Sequence, residues 1–427
     1  MKALRTLVLS AVGIALLAYG AIAASNKVRL FVAKTYFKHE NPDWTMKLAR
    51  YGILRPVRWN VEPKVSLNLD ARDLVSLNIL RTREWQPEVW DSLKSALPEG
   101  GVLLDVGAHI GYFSLKGAAK TGAKGRVISF EPNPETLVQL RSNIEASGAA
   151  GIVTVAPIAC SDRESELTLW ASRNGNTGAS SLSKENSAAF DEKPEPYKVR
   201  GRPIDDVVRE LGLTRVDVIK VDVEGAEVMV LRGAMQTLKR FHPKVVAEVD
   251  ERQLAGFGNK PAELDALFAE AGYNHSKKVD ESDVEWIALT PDKVLATVRA
   301  AGPEAESQLV SGFYWVETGA WRWTKREFAM VLGIPPASKA VTVELTVPQA
   351  LLDKLGGSTT LHARVGSVEL APETYSKDGV YKYTRGLPEA VVKAGMAEIA
   401  FWVDNAIAPT GGDPRELGVI FNAASVR

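Results

Sequence analysis

The chain has 427 residues, 45% of them apolar, and its 52 basic and 52 acidic side chains cancel. Such a length predicts two or three domains with a large core, and a zero balance without a long basic run removes the electrostatic drive used in nucleic-acid binding. The one cysteine, Cys160, excludes an intrachain disulfide framework and is expected to pack as a small apolar residue.

Thr6 to Ala24 carries no charge and consists mostly of Leu, Ala, Val and Ile, after Lys2 and Arg5. That is about the shortest stretch that crosses a bilayer. Two readings stand: a signal peptide cut after Ala21-Ile22-Ala23, with export, or an uncleaved N-terminal hydrophobic helix that makes the membrane a partner. Lys27, Arg29, Lys34 and Lys38 outweigh the charge ahead of the segment, which favours an anchor with the remaining chain facing the cytoplasm. Residues 1–38 are thus set apart from a domain expected over 39–290.

Residues 40–100 read as a strand and helix lead-in, closing on the amphipathic helix WQPEVWDSLKSAL. The stretch 101–131, GVLLDVGAHIGYFSLKGAAKTGAKGRVISFE, then gives strand, Gly-rich turn, helix and strand. Its turn lets a nucleotide-like ligand approach the backbone, and Glu131 at the second strand end is placed to take two ribose hydroxyls. A dinucleotide site would read G-x-G-x-x-G, whereas Gly107 and Gly111 are spaced G-x-x-x-G behind Asp105. A carboxylate there repels a pyrophosphate and suits a cation. S-adenosylmethionine carries a sulfonium and an ammonium and no phosphate, so charge favours it over a nicotinamide dinucleotide.

Further on, IVTVAPIACSD (152–162) reads as a third strand ending in Asp162, a candidate acceptor for an adenine amino group, with a turn-forming Asp as the competing explanation. VDVIKVDVEG (216–225) reads as a fourth buried strand with Lys220, Asp222 and Glu224 on one face at its exit. Ionisable groups at a buried strand end are costly unless they pair or do chemistry. KVVAEVD is a fifth strand, whose Glu248 is a candidate for acceptor hydroxyls or a strand-end ion pair. Helices NPETLVQLRSNIEAS, IDDVVREL, GAEVMVLRGAMQTLKRF and PAELDALFAEAG alternate with these strands, which predicts a parallel sheet covered on both faces. GYNHSKKV and DVEWIAL add an antiparallel edge hairpin. The Ser/Asn/Gly/Lys-rich stretch from Ser172 to Pro203 reads as an acceptor-side lid or a passive loop.

From about residue 63 to 290 the chain resembles the FkbM family of S-adenosylmethionine-dependent O-methyltransferases, on the pieces LNLDARDLVSLNIL, TREWQPEVW, LLDVGAHIGYFSL, ISFEPNPETLVQLRSNI, APIACSD, GASSL, DVIKVDVEGAEVMVLRGA and PKVVAEVD. The resemblance implies a Rossmann-like class I methyltransferase, with a mostly parallel seven-stranded sheet. It implies Asp105, Gly107, Gly111, Glu131 and Asp162 around S-adenosylmethionine, and Asp222 and Glu224 at the reacting end. His109 stands where the family more often shows Asn; its ring is read as hydrogen-bonding near the cofactor. An alcohol needs a proton acceptor as it attacks, and Asp222 is the first choice, then Glu224, then His109. Lys220 orients that carboxylate, polarises the acceptor or simply pairs with Asp222. The scattered histidines offer no metal-ligand spacing, so no metal is expected, although three nearby carboxylates suit Mg²⁺.

Residues 291–310 read as a short helix and linker. Beyond them GFYWVE, AVTVELTV, TLHARVG, VYKYTRGL, EIAFWVDN and LGVIFNAASV predict a C-terminal all-β sandwich of seven or eight strands over 311–427. Trp315, Trp321, Trp323 and Trp402 are expected in its core, with sugar stacking as the alternative. Arg322, Asp413 and Arg415 are read as an ion-pair network. The ends GFYWVETGAWRWT and GDPRELGVIF resemble β-modules appended to bacterial polysaccharide-modifying transferases. The combined expectation is an O-methyltransferase acting on a hydroxyl of a glycan, polysaccharide or glycolipid. The competing reading is a non-catalytic carbohydrate-binding protein on a methyltransferase scaffold.

Overall fold

The computed structural model describes residues 56–427, apart from 174, 292, 303, 304, 411, 412 and 414 and the side chain of residue 306. The apolar stretch Thr6–Ala24 and the charges around it lie outside the described residues. Among the described residues, no helix is long and apolar enough to cross a membrane. The chain forms two compact units: one runs through Gly272 and takes in Lys278–Trp286, and the other holds Tyr273–Lys277 and Ile287–Arg427.

In the first unit β1 (Val57–Glu62) and β2 (Val65–Leu69) pair as an antiparallel hairpin. The main sheet is built from β3 (Val102–Val106), β4 (Arg126–Phe130) and β5 (Val153–Ala156). A small side sheet comprises β6 (Ala159–Cys160), β7 (Ser165–Ala171) and β8 (Glu195–Arg202). β9 (Val218–Val221), β10 (Lys244–Glu248) and β12 (Asp283–Ile287) continue the main sheet, and β11 (His275–Lys278), whose first three residues are counted with the other unit, is its edge strand; the order is β11-β12-β10-β9-β3-β4-β5. β5, β4, β3, β9 and β10 run parallel, and β12 is antiparallel to β10. β3 and β9 are buried along their whole length, the pattern of a sheet covered on both faces. The expected mostly parallel seven-stranded sheet with an edge hairpin is therefore present. Its order reverses at β3, between β4 and β9, and the crevice outside such strand ends is where α/β sheets bind ligands.

The helices Pro87–Ala96, Pro134–Ala146, Ile204–Glu210 and Pro261–Glu270 fall where periodicity places them, three of them opening on proline in the first turn. The long helical run after β9 is instead two helices, Glu227–Arg232 and Met235–Phe241. They break at Gly233, where a Cβ would run into the Ser161 carbonyl. The stretch 152–162 also divides, because β5 stays in the main sheet while β6 leaves it to pair with β8. Ser172 to Pro203 is not one loop: it includes the helix Lys184–Ala188 and β8.

The second unit holds β13 (Thr297–Arg299), β14 (Ser311–Phe313), β15 (Arg322–Gly333), β16 (Ala340–Val347) and β17 (Thr359–Val365). β18 (Val368–Tyr375), β19 (Gly379–Gly386), β20 (Met396–Val403) and β21 (Ile420–Val426) follow. Residues 297–299 pair with β21, so the expected linker supplies a strand. In place of two separate facing sheets there is one nine-stranded sheet: seven strands run in the order β18-β17-β20-β15-β21-β16-β19, with β13 paired to β21 and β14 to β15 beside that path. Its corner is the twelve-residue β15, which pairs with β21 at Arg322 and Trp323 and with β20 from Glu327 onward. The outer strands meet through side chains: Arg385 of β19 donates to the Ala371 and Pro372 carbonyls of β18 and pairs with Glu373. The expected tryptophan core is also corrected. Phe328, Tyr375, Tyr383, Phe401 and Phe421 fill that place, while Trp321, Trp323 and Trp402 are half-buried and Trp315 is exposed. Arg322 is buried but donates to the Ala300 and Tyr314 carbonyls, so only Arg415 and Asp413 of the expected trio pair with each other.

Candidate active site

The turns at the β3, β4, β9 and β10 ends converge on one cavity. Its walls are Gly107–His109, Phe130–Pro132, Ile158–Cys160, Asn176–Gly178, Lys220, Asp222, Glu224 and Glu248, with Trp85, Gln86, Tyr112 and Phe113. The first turn is compact because Gly107 adopts a φ of 79°, and a Cβ there would collide with the Asp222 carbonyl. The glycine locks the β3 turn against the β9 turn, and the Gly107 and Ala108 N–H groups donate to the Phe130 carbonyl at 3.0 and 2.9 Å, which ties that turn to the β4 end.

Glu131 ends β4 and is held by its surroundings. Its Oε2 accepts from the His109 N–H at 2.8 Å, and Oε1 accepts from the Asn133 N–H at 2.8 Å and the Thr136 hydroxyl at 3.1 Å. Burial raises its carboxyl, opposed by the His109 charge and these donors. His109 sits in the left-handed region at φ 50°, a conformation in which Asn, Asp and His are enriched among non-glycine residues. Its Nε2 lies 2.7 Å from the Thr177 hydroxyl, which donates to Asp73 Oδ1 at 2.8 Å. With that hydroxyl hydrogen committed to Asp73, a neutral His109 ring donates through Nε2 and keeps Nδ1 as an acceptor. Thr177 thereby staples the Asn176–Gly178 wall to the cavity. Thr177→Val removes the hydroxyl that the half-buried His109 and the buried Asp73 share, at a cost of about 1–3 kcal/mol, while the Thr177 and Ser76 N–H groups still donate to Asp73; the expected result is a raised donor KM with kcat nearly unchanged, checked by steady-state kinetics beside a thermal melt.

Three predicted contacts lie elsewhere. Asp105 does not line the cavity: it is fully buried, accepts from Ser114 Oγ at 2.5 Å, and keeps Oδ1 without a partner. Burial raises its carboxyl, with Lys220 pulling the other way. Gly111 caps the helix Tyr112–Thr121, and a Cβ would meet Leu140 Cδ1 at 2.6 Å, so packing requires it rather than a ligand. Asp162 follows β6 out of the main sheet and faces Arg163 at 3.9 Å, away from the cavity. Ile158, Ala159 and Cys160 form the wall in its stead, and burial pushes the Cys160 thiol up.

At the reacting end β9 stops at Val221, so strand alternation does not align Asp222 and Glu224 with Lys220. A turn does, with Glu224 at φ 55° and Gly225 at φ 103°. Ser181 Oγ and Asn186 Nδ2 donate to the Glu224 carbonyl at 2.8 and 2.9 Å and hold that conformation. Asp222, Glu224 and Glu248 each bring a carboxylate oxygen within 4.8 Å of the others, and Lys220 Nζ lies 2.9 Å from Asp222 Oδ2. Lys220 feels burial first, but Asp222 and Asp105 outweigh it and raise its pKa. Burial and then the Asp222 charge hold the Glu224 and Glu248 carboxyls far above the usual carboxylate range. The Lys220–Asp222 pair therefore stands beside two carboxyls that keep their protons at neutral pH.

Behind this pair, burial lifts Glu227 to about 7 and Asp283 to about 8, the latter aided by Asp222. Both folded values exceed the unfolded ones, so the folded state binds more protons over the interval between them. This contribution to stability is fully present below about pH 4, where the unfolded carboxyls are protonated too, and is lost as the pH climbs from there until the folded groups ionise at about 7 and about 8. The expected melting midpoint of the first unit falls by roughly 5 °C or more across that window. Asp283→Asn keeps an acceptor for Gln86 Nε2, now at 3.1 Å, and flattens the profile; an unchanged slope in calorimetric melts contradicts the assignment.

Gln86, Thr177, Asp73 and Asp283 were not singled out by sequence. The signals existed: Pro87 marks residue 86 as a helix cap, and Thr177 stands just before the GASSL piece.

A parallel sheet reversing at β3, a tight Gly107 turn, and acids at successive strand ends define an α/β fold of methyltransferase type. Residues 105–274 match the family described as the Methyltransferase FkbM domain, and the chain carries a methyltransferase domain of that family. The AMB antimetabolite synthetase AmbE of Pseudomonas aeruginosa is 25% identical over 415 residues, covering 84% of this chain and 19% of AmbE. That span exceeds residues 1–290 and takes in part of the C-terminal unit. The hexuronic acid methyltransferase AglP of Haloferax volcanii is 28% identical over 41% of this chain and 68% of its own length. The 2-O-methyltransferase NoeI of Sinorhizobium fredii is 29% identical over 33% and 59%. The chain thus spans about a fifth of AmbE and roughly 60–70% of the other two. A crystal structure of an FkbM methyltransferase from Methylobacillus flagellatus shares 17% identity at a TM-score of 0.31, covering 61% of this chain and 59% of that one, too low a score to bear on the fold.

Proposed function

We propose that this protein transfers a methyl group from S-adenosylmethionine to a hydroxyl of a glycan, polysaccharide or glycolipid. The observation that carries the reading is the cavity's lining: among the described residues, Lys220 is its one Lys or Arg and is held by Asp222 at 2.9 Å, so no cationic clamp is available for a pyrophosphate, while Glu131 stands at the β4 end. A carboxylate there disfavours a phosphate and suits a neutral or cationic ligand. Glu131 would hold the ribose, the His109 backbone would close over it, and Phe130, Ile158 and Leu169 offer an apolar slot for the base. When bound, S-adenosylmethionine supplies an electrophilic methyl on sulfonium. The chain's own part is alignment and proton removal. Alignment of two bound reactants is worth roughly 7–11 kcal/mol of barrier.

Lys220 takes Asp222 Oδ2, which leaves Oδ1 to accept the hydroxyl proton as the carbon–oxygen bond forms. Glu224 and Glu248 already carry protons, so their role is to donate hydrogen bonds to acceptor oxygens. The similarity to AglP and NoeI, a hexuronic acid methyltransferase and a 2-O-methyltransferase, supports a sugar hydroxyl. AmbE's name points to antimetabolite synthesis, so small hydroxylated acceptors form the second arm of the test. The experiment is incubation of the full chain with methyl-labelled donor and either host glycan extract or small polyols. Label in a glycan methyl ether supports the reading; label only in small acceptors, or in none, refutes it.

A further inference from the structure

The C-terminal unit leaves its tryptophans outside its core, and three of them gather on one hairpin. Arg322 and Thr324 point inward on β15, so Trp321 and Trp323 share the outer face. The Tyr314 N–H donates to the Trp323 carbonyl at 3.0 Å, and the Glu317 N–H donates to the Trp321 carbonyl at 2.8 Å, which brings the 314–317 arm beside that pair, with the turn at 318–320. Trp315 on that arm is 64% exposed.

This surface is built rather than incidental. Arg415 is pinned by Glu317 at 2.5 Å and by Asp413 at 2.8 Å, and its guanidinium lies 5.0 Å from the Trp315 ring centre and 5.4 Å from that of Tyr314. Cation–π contact props one side of these rings and leaves the Trp315 indole presented to solvent. Such propping removes ordering cost from a later ligand.

The flanking chemistry decides what would bind. Among the described residues, the other large apolar side chains exposed in this unit are Leu295, Val368 and Val380, none of them in the hairpin. With only the half-buried Val316 as a branched aliphatic neighbour in the hairpin, the patch lacks the apolar depth of a protein hot spot or a membrane-inserting loop. It offers ring faces bordered by carboxylates, a guanidinium and the Lys325 ammonium, 5.9 Å from the Tyr314 ring. Flat C–H faces edged by hydroxyls match that combination, and a pyranose has both.

We propose that the hairpin from Ser311 to Lys325 is a carbohydrate-binding surface, with Trp315 as its stacking platform and Trp321 and Trp323 as its floor. The inference deepens the proposed function, since it rests on a glycan being the methyl acceptor, and it assigns the second unit the task of holding that polymer. Trp402 is the contrast, because His362 already stacks on it at 5.2 Å and 7°.

The test titrates the full chain by calorimetry with cellohexaose and with an oligogalacturonate. The expected result is saturable binding of at least one, weakened about tenfold or more in Trp315→Ala, largely retained in Trp315→Phe, and unchanged in Trp402→Ala. S-adenosylmethionine binding stays equal in all four proteins and reports intact folding. Binding of neither oligosaccharide, or wild-type affinity in Trp315→Ala, overturns the proposal. So does a Trp315-dependent association with phosphatidylcholine–phosphatidylglycerol vesicles, or a Trp315-dependent dimer in sedimentation, without sugar binding. Failed methylation of glycan extract beside intact, Trp315-dependent sugar binding refutes the acceptor reading and leaves the surface standing.

Discussion

Asp222→Asn lowers turnover about 10²–10⁴-fold, the range a general base contributes, while S-adenosylmethionine affinity stays within about twofold. The split follows from position: Asp222 follows β9 beside Glu224 and Glu248, whereas Glu131 follows β4, which β3 separates from β9 in the sheet. The substitution also leaves the buried Lys220 ammonium with an amide in place of a carboxylate. Removing one partner of a buried pair costs up to about 3–5 kcal/mol, so a melt must accompany the kinetics. A second consequence separates the base role from simple destabilisation. The Asp222 charge is among the causes that hold Glu224, Glu248 and Asp283 high. Without it these acids ionise at lower pH, so residual activity should fall off earlier on the alkaline side than in the wild type. Full activity of Asp222→Asn on the true acceptor would remove Asp222 from the mechanism.

Glu131→Ala weakens donor binding roughly 100-fold, with any kcat measured at saturating donor much less affected. The loss corresponds to about 2–3 kcal/mol, the cost of deleting charge-assisted hydrogen bonds to a ligand. The same carboxylate satisfies the His109 and Asn133 N–H groups and the Thr136 hydroxyl, so its removal loosens the turn that carries His109. Glu131→Gln keeps one acceptor oxygen and should fall between the wild type and the alanine variant. Equilibrium titration distinguishes the series from general unfolding, because the gradation in affinity requires a folded cavity.

Much of the first unit was legible because its signals are local. Apolar runs ended by Asp105, Glu131 and Glu248 mark buried parallel strands, and proline at the first helical turn marks where their connecting helices begin. Pattern failed where tertiary contact overrides it. Asp222 and Glu224 meet through a positive-φ turn held by Asn186 and Ser181, side chains from an insert whose fold has no periodic signature. Asp162 shares a sequence run with β5, yet the chain leaves the main sheet between Ala156 and Ala159. Asp105 looked available because its strand ends at the cavity, but Ser114 and Ser129 close around it. In the second unit β15 escaped notice because its alternation breaks at residues 325–327, where the strand passes from one set of partners to another. The tryptophans misled for the opposite reason: size suggested a core, whereas Phe and Tyr from β15, β18, β19, β20 and β21 fill it.

The most direct measurement is a calorimetric titration of the full chain with S-adenosylmethionine and, separately, with NAD. Acidic strand ends that admit a cationic, phosphate-free adenosine ligand predict one saturable site for the first, strongly weakened in Glu131→Ala, and no heat from the second. A chain that binds NAD, or that binds S-adenosylmethionine equally well without the Glu131 carboxylate, contradicts the account.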